Sequence, residues 1–147
     1  KKRCNNKLSR DILHRCKEQK NINMTDNELT YAIRGAAFKV HATLGPGLLE
    51  SLYQKALFFE LLDAGYDVKR EVAVPILYNG HEIGGDLKMD LLVEDQVIIE
   101  LKSVEALTDL HKKQLLSYLR LTRKKLGLLI NFNSPSLDDK SIIRIIN

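Results

Sequence analysis

The chain has 147 residues, 44% of them hydrophobic and 29% charged, which is enough material for one domain with a buried core and too polar for a membrane protein. No apolar run approaches the roughly 18 residues that a membrane helix requires. The formal charge of +4 invites a nucleic-acid reading, but residues 1–20 hold eight Lys or Arg against two acids, and the remaining 127 hold 15 against 17. The basicity therefore belongs to the start of the chain and says little about the folded surface.

Residues 1–23 form a polar, basic leader in which only Ile12, Leu13 and Cys16 hint at apolar periodicity. The leader lacks the apolar segment of a secretory signal. Cys4 and Cys16 have no metal-ligand partners at suitable spacing, so a reduced, cytoplasmic compartment is expected. Met24 marks the start of the expected folded domain, residues 24–147, and is a possible natural start with the leader as an upstream addition.

Thr25-Asp-Asn-Glu28 fits a capping box and predicts a helix to about residue 44, with Leu29, Ile33, Ala36, Ala37, Val40 and Leu44 inward. Gly45-Pro46-Gly47 ends it. A second helix follows from about Leu48 to Ala64, with Leu49, Leu52, Ala56 and Phe59 inward. Glu50 lies in its first turn, where the helix dipole alone favours an acid, and Tyr53 follows one turn later.

Residues 68–78 alternate apolar and polar side chains, which predicts a half-exposed strand that Pro75 assigns to an edge or a bulge. Asn79-Gly80 is a hairpin signal leading into the next strand, inside which Gly84-Gly85 would permit a bulge. Asp86 to Val93 forms that strand, with Leu87, Met89 and Leu91 on one face and Lys88 and Asp90 on the other. Val97 to Leu101 reads as a central strand covered on both sides, interrupted by Glu100 and followed by Lys102 on the same face. If Glu94-Asp95-Gln96 is a three-residue loop, Val93 faces Val97 and Asp90 faces Glu100; a two-residue loop would set Asp90 against Ile99.

Leu107 to Arg123 returns to helical spacing, carrying Gln114 and Tyr118 one turn apart. Leu126 to Phe132 is a buried strand expected to lie parallel to the one bearing Glu100. After the Ser134-Pro-Ser136 loop, Ile142 to Ile146 forms a terminal strand with Arg144 outward or at an interface. Lys112, Lys113, Arg120, Arg123, Lys124 and Lys125 make one local cationic cluster, read either as a phosphate-facing patch or as the solvated side of a helix. His41 and His111 lack motif partners and are expected to pack or cap.

Two carboxylates at cross-strand distance repel unless a positive charge lies between them. Hard oxygen ligands without His or Cys favour Mg²⁺ or Mn²⁺. Lys102 could then orient water or stabilise charge on a phosphate. The competing reading is a set of mutually compensating surface charges.

At Asp90 and Glu100-Leu-Lys102 the chain resembles the PD-(D/E)XK nuclease superfamily, with Met89 in place of the motif's proline. Gly47-Leu-Leu-Glu50-Ser-Leu-Tyr53 is similar to the G-x-x-E-x-x-Y signature of one small family within it, and Gln114-Leu-Leu-Ser-Tyr118 to the Q-x-x-x-Y element of its RecB-like branch. The resemblance implies an α/β domain with a mixed central sheet flanked by helices, and a Mg²⁺- or Mn²⁺-dependent nuclease. Asp90, Glu100 and the Leu101 carbonyl would hold metal. Lys102 and Glu50 would act in catalysis, and Gln114, Tyr118, Lys112 and Lys113 would meet substrate, DNA ahead of RNA. The alternative is a non-catalytic nucleic-acid-binding or protein-interaction module on the same fold, including a homodimer formed through the terminal strand or an exposed edge.

Overall fold

A computed structural model describes residues 23–147; the expectations for the leader, Cys4 and Cys16 fall outside those residues. The first helix, α1 (Asp26–Leu44), begins at Thr25, whose hydroxyl accepts from the Glu28 N–H while the Glu28 carboxylate accepts from the Thr25 N–H. The capping box thus pairs two amides that a helix start would otherwise leave without partners. Gly45, at φ 67°, stops the helix.

Helix α2 (Glu50–Asp63) is followed by β1 (Val68–Ala73), a short hairpin of β2 (Leu77–Tyr78) and β3 (His81–Glu82), then β4 (Lys88–Val93) and β5 (Val97–Lys102). Helix α3 (Asp109–Thr122), β6 (Leu126–Asn131) and β7 (Ile142–Ile146) complete the order. The five-stranded sheet is ordered β1-β4-β5-β6-β7. Every neighbouring pair is antiparallel except β5 with β6, which run parallel and are joined through α3. This is a mixed-sheet α/β domain with helices on both faces, as the element order predicted.

The apolar residues divide into two layers. Leu29, Ile33, Leu57 and Leu61 of α1 and α2 pack on Leu91, Ile99, Leu101 and Leu128. On the other face, Leu115, Tyr118 and Leu119 of α3 cover Ile98, Leu129, Met89 and Val74. Close approach of α3 depends on Gly127, because a Cβ there would lie only 2.9 Å from a methyl carbon of Leu115.

Several expectations from spacing are corrected. The inward face of α2 is Tyr53, Gln54, Leu57 and Leu61; Leu49, Leu52 and Phe59 are exposed. Apolar residues surround this helix, so periodicity alone does not select the side that meets the sheet. Leu44 and Leu110 also face solvent. The strand expected over residues 68–78 ends at Ala73, and Asn79-Gly80, both with positive φ, turns the small β2–β3 hairpin rather than leading into β4. Gly84 and Gly85 lie in the loop before β4. Gly84 has no room for a side chain, since its Cβ would approach the Val74 carbonyl oxygen to 2.6 Å.

Tyr53 ties α2 to the turn before it. Its hydroxyl donates to the Gly45 carbonyl and accepts from the Leu48 N–H, while its ring stacks on Phe132 at 4.6 Å. The start of α2, and with it Glu50, is therefore fixed against the end of β6.

Gly127→Ala is expected to destabilise the fold by about 1–3 kcal/mol, because Leu115 must leave its position over β6. Urea denaturation of the two proteins measures the difference.

Candidate functional site

The site forms where β4 begins and β5 ends. The β4–β5 register runs Val93↔Val97, Leu92↔Ile98 and Leu91↔Ile99. Glu94-Asp95-Gln96 is therefore a three-residue loop, with Glu94 and Asp95 both at positive φ. Continuing the register by one residue sets Asp90 opposite Glu100. At that point side chains take over from the backbone ladder. The Asp90 N–H donates to Glu100 Oε1 at 3.2 Å, and the Leu101 N–H donates to Asp90 Oδ2 at 2.8 Å. Each acid thus accepts an amide from the opposite strand, which holds the carboxylates together despite their like charge.

Burial makes that juxtaposition costly. Glu100 is only 6% exposed, and its carboxyl is pushed up to about 8, first by desolvation and then by the negative charge of Asp90. Asp90 is half-buried and also raised, chiefly by desolvation, against the opposing pull of the Leu101 N–H, the Gln54 amide and the Lys102 charge. Lys102 forms no ion pair within 4.0 Å among the described residues, although its charge favours the ionised form of both acids.

Glu100, Lys102 and the α3 side chains share one face of the sheet. The Gln114 amide donates to the Tyr118 hydroxyl at 2.9 Å, and the Tyr118 phenol is raised by burial and then by the nearby Glu100 charge. The Gln114–Tyr118 pair therefore stands beside the acids. From α2, Glu50 accepts from the Ser103 N–H at 3.3 Å, and its charge raises Asp90. Tyr53 does not bond Glu50; it holds the preceding turn.

The six cations expected as one cluster separate. Lys112 and Lys113 lie in the first turns of α3, at the end of the sheet where β5 terminates, and Lys112 pairs with Asp109 at 3.6 Å. Arg120, Arg123, Lys124 and Lys125 lie at its other end, where Lys124 pairs with Asp95 and Lys125 with Asp26. His111 and His41 take structural roles. His111 Nδ1 accepts from the Thr108 N–H in the α3 cap, and His41 Nε2 bonds the Ser134 carbonyl.

Two residues at the site were not foreseen from the sequence. Gln54, 7% exposed, donates from Nε2 to Asp90 Oδ1 at 3.2 Å and to Glu71 Oε1 at 2.7 Å. A polar residue on the buried side of α2 would have been the signal, but the expected phase of that helix turned Gln54 outward. Glu71 resembled any exposed residue of an alternating strand.

Among the described residues, no group of three or more His, Cys, Asp or Glu converges as a metal-binding set. The Asp90–Glu100 pair nevertheless has the donor chemistry that suits a hard dication: carboxyl oxygens, no His or Cys alongside, and a lysine that pairs directly with neither acid.

A mixed α/β sheet carrying an acidic pair and a lysine at the ends of adjacent central strands is the architecture of a nuclease-type domain. The chain belongs to the PD-(D/E)XK nuclease superfamily, whose family model matches residues 27–145. Comparison with curated proteins and with solved structures gave no match. Membership makes nucleic acid the expected substrate class, and divalent metal ions are typical of the superfamily. Among the described residues no helix is long and apolar enough to cross a membrane.

The raised carboxyls give a pH dependence of known sign. The folded state holds the Glu100 proton more tightly than the unfolded chain does, so the Glu100 contribution to metal-free stability is fully present below about pH 4.5 and is lost as pH rises through about 8. Asp90 contributes in the same direction. The expected loss is on the order of a few kcal/mol. Urea unfolding in EDTA across this range should show that slope, and Glu100→Gln should flatten it.

Proposed function

We propose that this chain is a Mg²⁺- or Mn²⁺-dependent nuclease that hydrolyses phosphodiester bonds, with DNA ahead of RNA as substrate, and that it belongs to the G-x-x-E-x-x-Y group of its superfamily. The observation that carries this reading is the pairing of half-buried Asp90 with buried Glu100, opposed across two strands, with Lys102 on the same face as Glu100. A structural ion cluster does not require two desolvated acids whose lysine neighbour is left without a direct ion pair.

In this reading Asp90, Glu100 and the Leu101 carbonyl hold the metal. When bound, the cation supplies charge neutralisation at the phosphate and activation of water. Lys102 orients the attacking water and offsets the negative charge that grows on the phosphoryl oxygens as the new P–O bond forms and the old one breaks. Glu50 hydrogen-bonds water at the edge of the site. Gln114 and Tyr118 hold the substrate phosphate, while Lys112 and Lys113 attract the neighbouring backbone phosphates at the same end of the sheet.

Cleavage of mixed nucleic-acid substrates is expected to require Mg²⁺ or Mn²⁺, to stop with EDTA, and to fall by at least about 100-fold in Lys102→Ala and in Asp90→Asn. Cleavage that survives both substitutions would refute the reading. Binding without metal dependence or cleavage would identify the non-catalytic module instead.

Lys113→Ala is expected to weaken substrate binding across sequences and to reduce the log–log salt slope by about 1. Arg123→Ala, at the far end of α3, should leave that slope unchanged. Filter binding or fluorescence anisotropy at several salt concentrations distinguishes the two.

A further inference from the structure

We propose that Gln54, buttressed by Glu71, is a positioning residue for the Asp90 carboxylate, holding it in the orientation that a metal-binding pair with Glu100 requires. This inference rests on the reading of Asp90 and Glu100 as metal-holding groups.

Asp90 is held at both oxygens. The Leu101 N–H binds Oδ2 at 2.8 Å and the Gln54 amide binds Oδ1 at 3.2 Å, so rotation of the carboxylate breaks one bond or the other. The orientation of the Gln54 amide is settled by its partners. Both are carboxylate oxygens, and a flipped amide would set its own oxygen against them. With one N–H directed at Asp90 and the other at Glu71, the amide is itself held by the 2.7 Å bond to Glu71.

Glu71 has a backbone conformation that ordinary strand structure does not require. It lies opposite Asp90 in the β1–β4 ladder, between the partners Arg70↔Leu91 and Val72↔Met89, yet its φ is 53°. Outside glycine and asparagine such a conformation costs about 1–2 kcal/mol. Both strands change face at this level. Val68, Leu91 and Val93 pack under α1 and α2, whereas Val74 and Met89 pack under α3, with Val72 against them. The irregularity falls where the Glu71 carboxylate reaches Gln54.

The amide also fits the charge requirement. A lysine at position 54 would neutralise Asp90 and compete with a dication, and an acid there would repel both carboxylates. A neutral donor fixes Asp90 while leaving its charge available.

The test is Mn²⁺ affinity of the full chain, measured by electron paramagnetic resonance of free Mn²⁺, with thermal melts in EDTA to establish that each variant is folded. Gln54→Leu is expected to weaken Mn²⁺ binding by about 10-fold or more, in the range seen when an outer partner of a metal ligand is removed. Glu71→Ala should weaken it by a smaller factor, and Glu71→Gln, which retains an oxygen acceptor for the amide, should restore most of that loss. Asp90→Asn serves as the control. If the wild type and Asp90→Asn bind Mn²⁺ equally, the metal reading fails and this inference fails with it. If Asp90→Asn loses binding but folded Gln54→Leu does not, the positioning role alone is overturned. Should Gln54→Leu fail to fold, the Glu71 pair decides: equal losses in Glu71→Ala and Glu71→Gln overturn the buttress.

Discussion

The reciprocal exchange between Asp90 and Glu100 is the interaction on which the site depends. Two adjacent strands each give an N–H to the acid of the other, so the backbone that would otherwise continue the ladder holds the carboxylates in place. Like-charged groups in a buried position repel, and this arrangement offsets that repulsion with hydrogen bonds from groups that cannot move away. The rest of the domain is consistent with that constraint. Helix α3 shields Glu100 on one face, α2 brings Gln54 and Glu50 to the edge, and the three-residue loop fixes the register that makes the exchange possible.

Electrostatically the site is unfinished. Glu100 is raised to about 8 by desolvation and the Asp90 charge, and Asp90 is raised by desolvation and the Glu50 charge, against the opposing pull of the amides and Lys102. A structure selected for stability alone would replace such a pair with apolar residues at little cost or some gain. Keeping it is characteristic of a place where charge is needed for binding or chemistry.

Much of this was legible in the sequence, and the limits have physical causes. The capping box at Thr25 and the stop at Gly45 are local signals, and they gave the bounds of α1. The apolar run at Val97–Leu101 reads as a strand covered on both faces, so Glu100 stood out within it. The β4–β5 register depended on loop length, which the sequence left open between two and three residues and which the Val93↔Val97 pairing sets at three. Sequence failed where tertiary contacts decide. Helix α2 carries apolar residues on several sides, so the choice between Leu52 and Gln54 as the inward residue is made by the sheet. Glu71 looked like an ordinary strand residue because neither its positive φ nor its bond to Gln54, 17 positions earlier, has a local sequence signal. The cationic residues of α3, close in sequence, are divided between its two ends and partly neutralised by Asp95 and Asp26 from distant segments.

The parallel pairing of β5 with β6 bears on how the domain is assembled. Antiparallel neighbours can form from a short hairpin, but β5 and β6 are joined through α3, so their pairing is a non-local closure of the kind that slows folding. Gln114 and Tyr118 travel on that helix, and Phe132, the stacking partner of Tyr53, lies just beyond β6. A nascent chain that has emerged only as far as Lys102 therefore contains both acids and the lysine, but not the cover that desolvates Glu100 or the ring that fixes the start of α2. The arrangement is therefore complete only when the chain extends through Phe132.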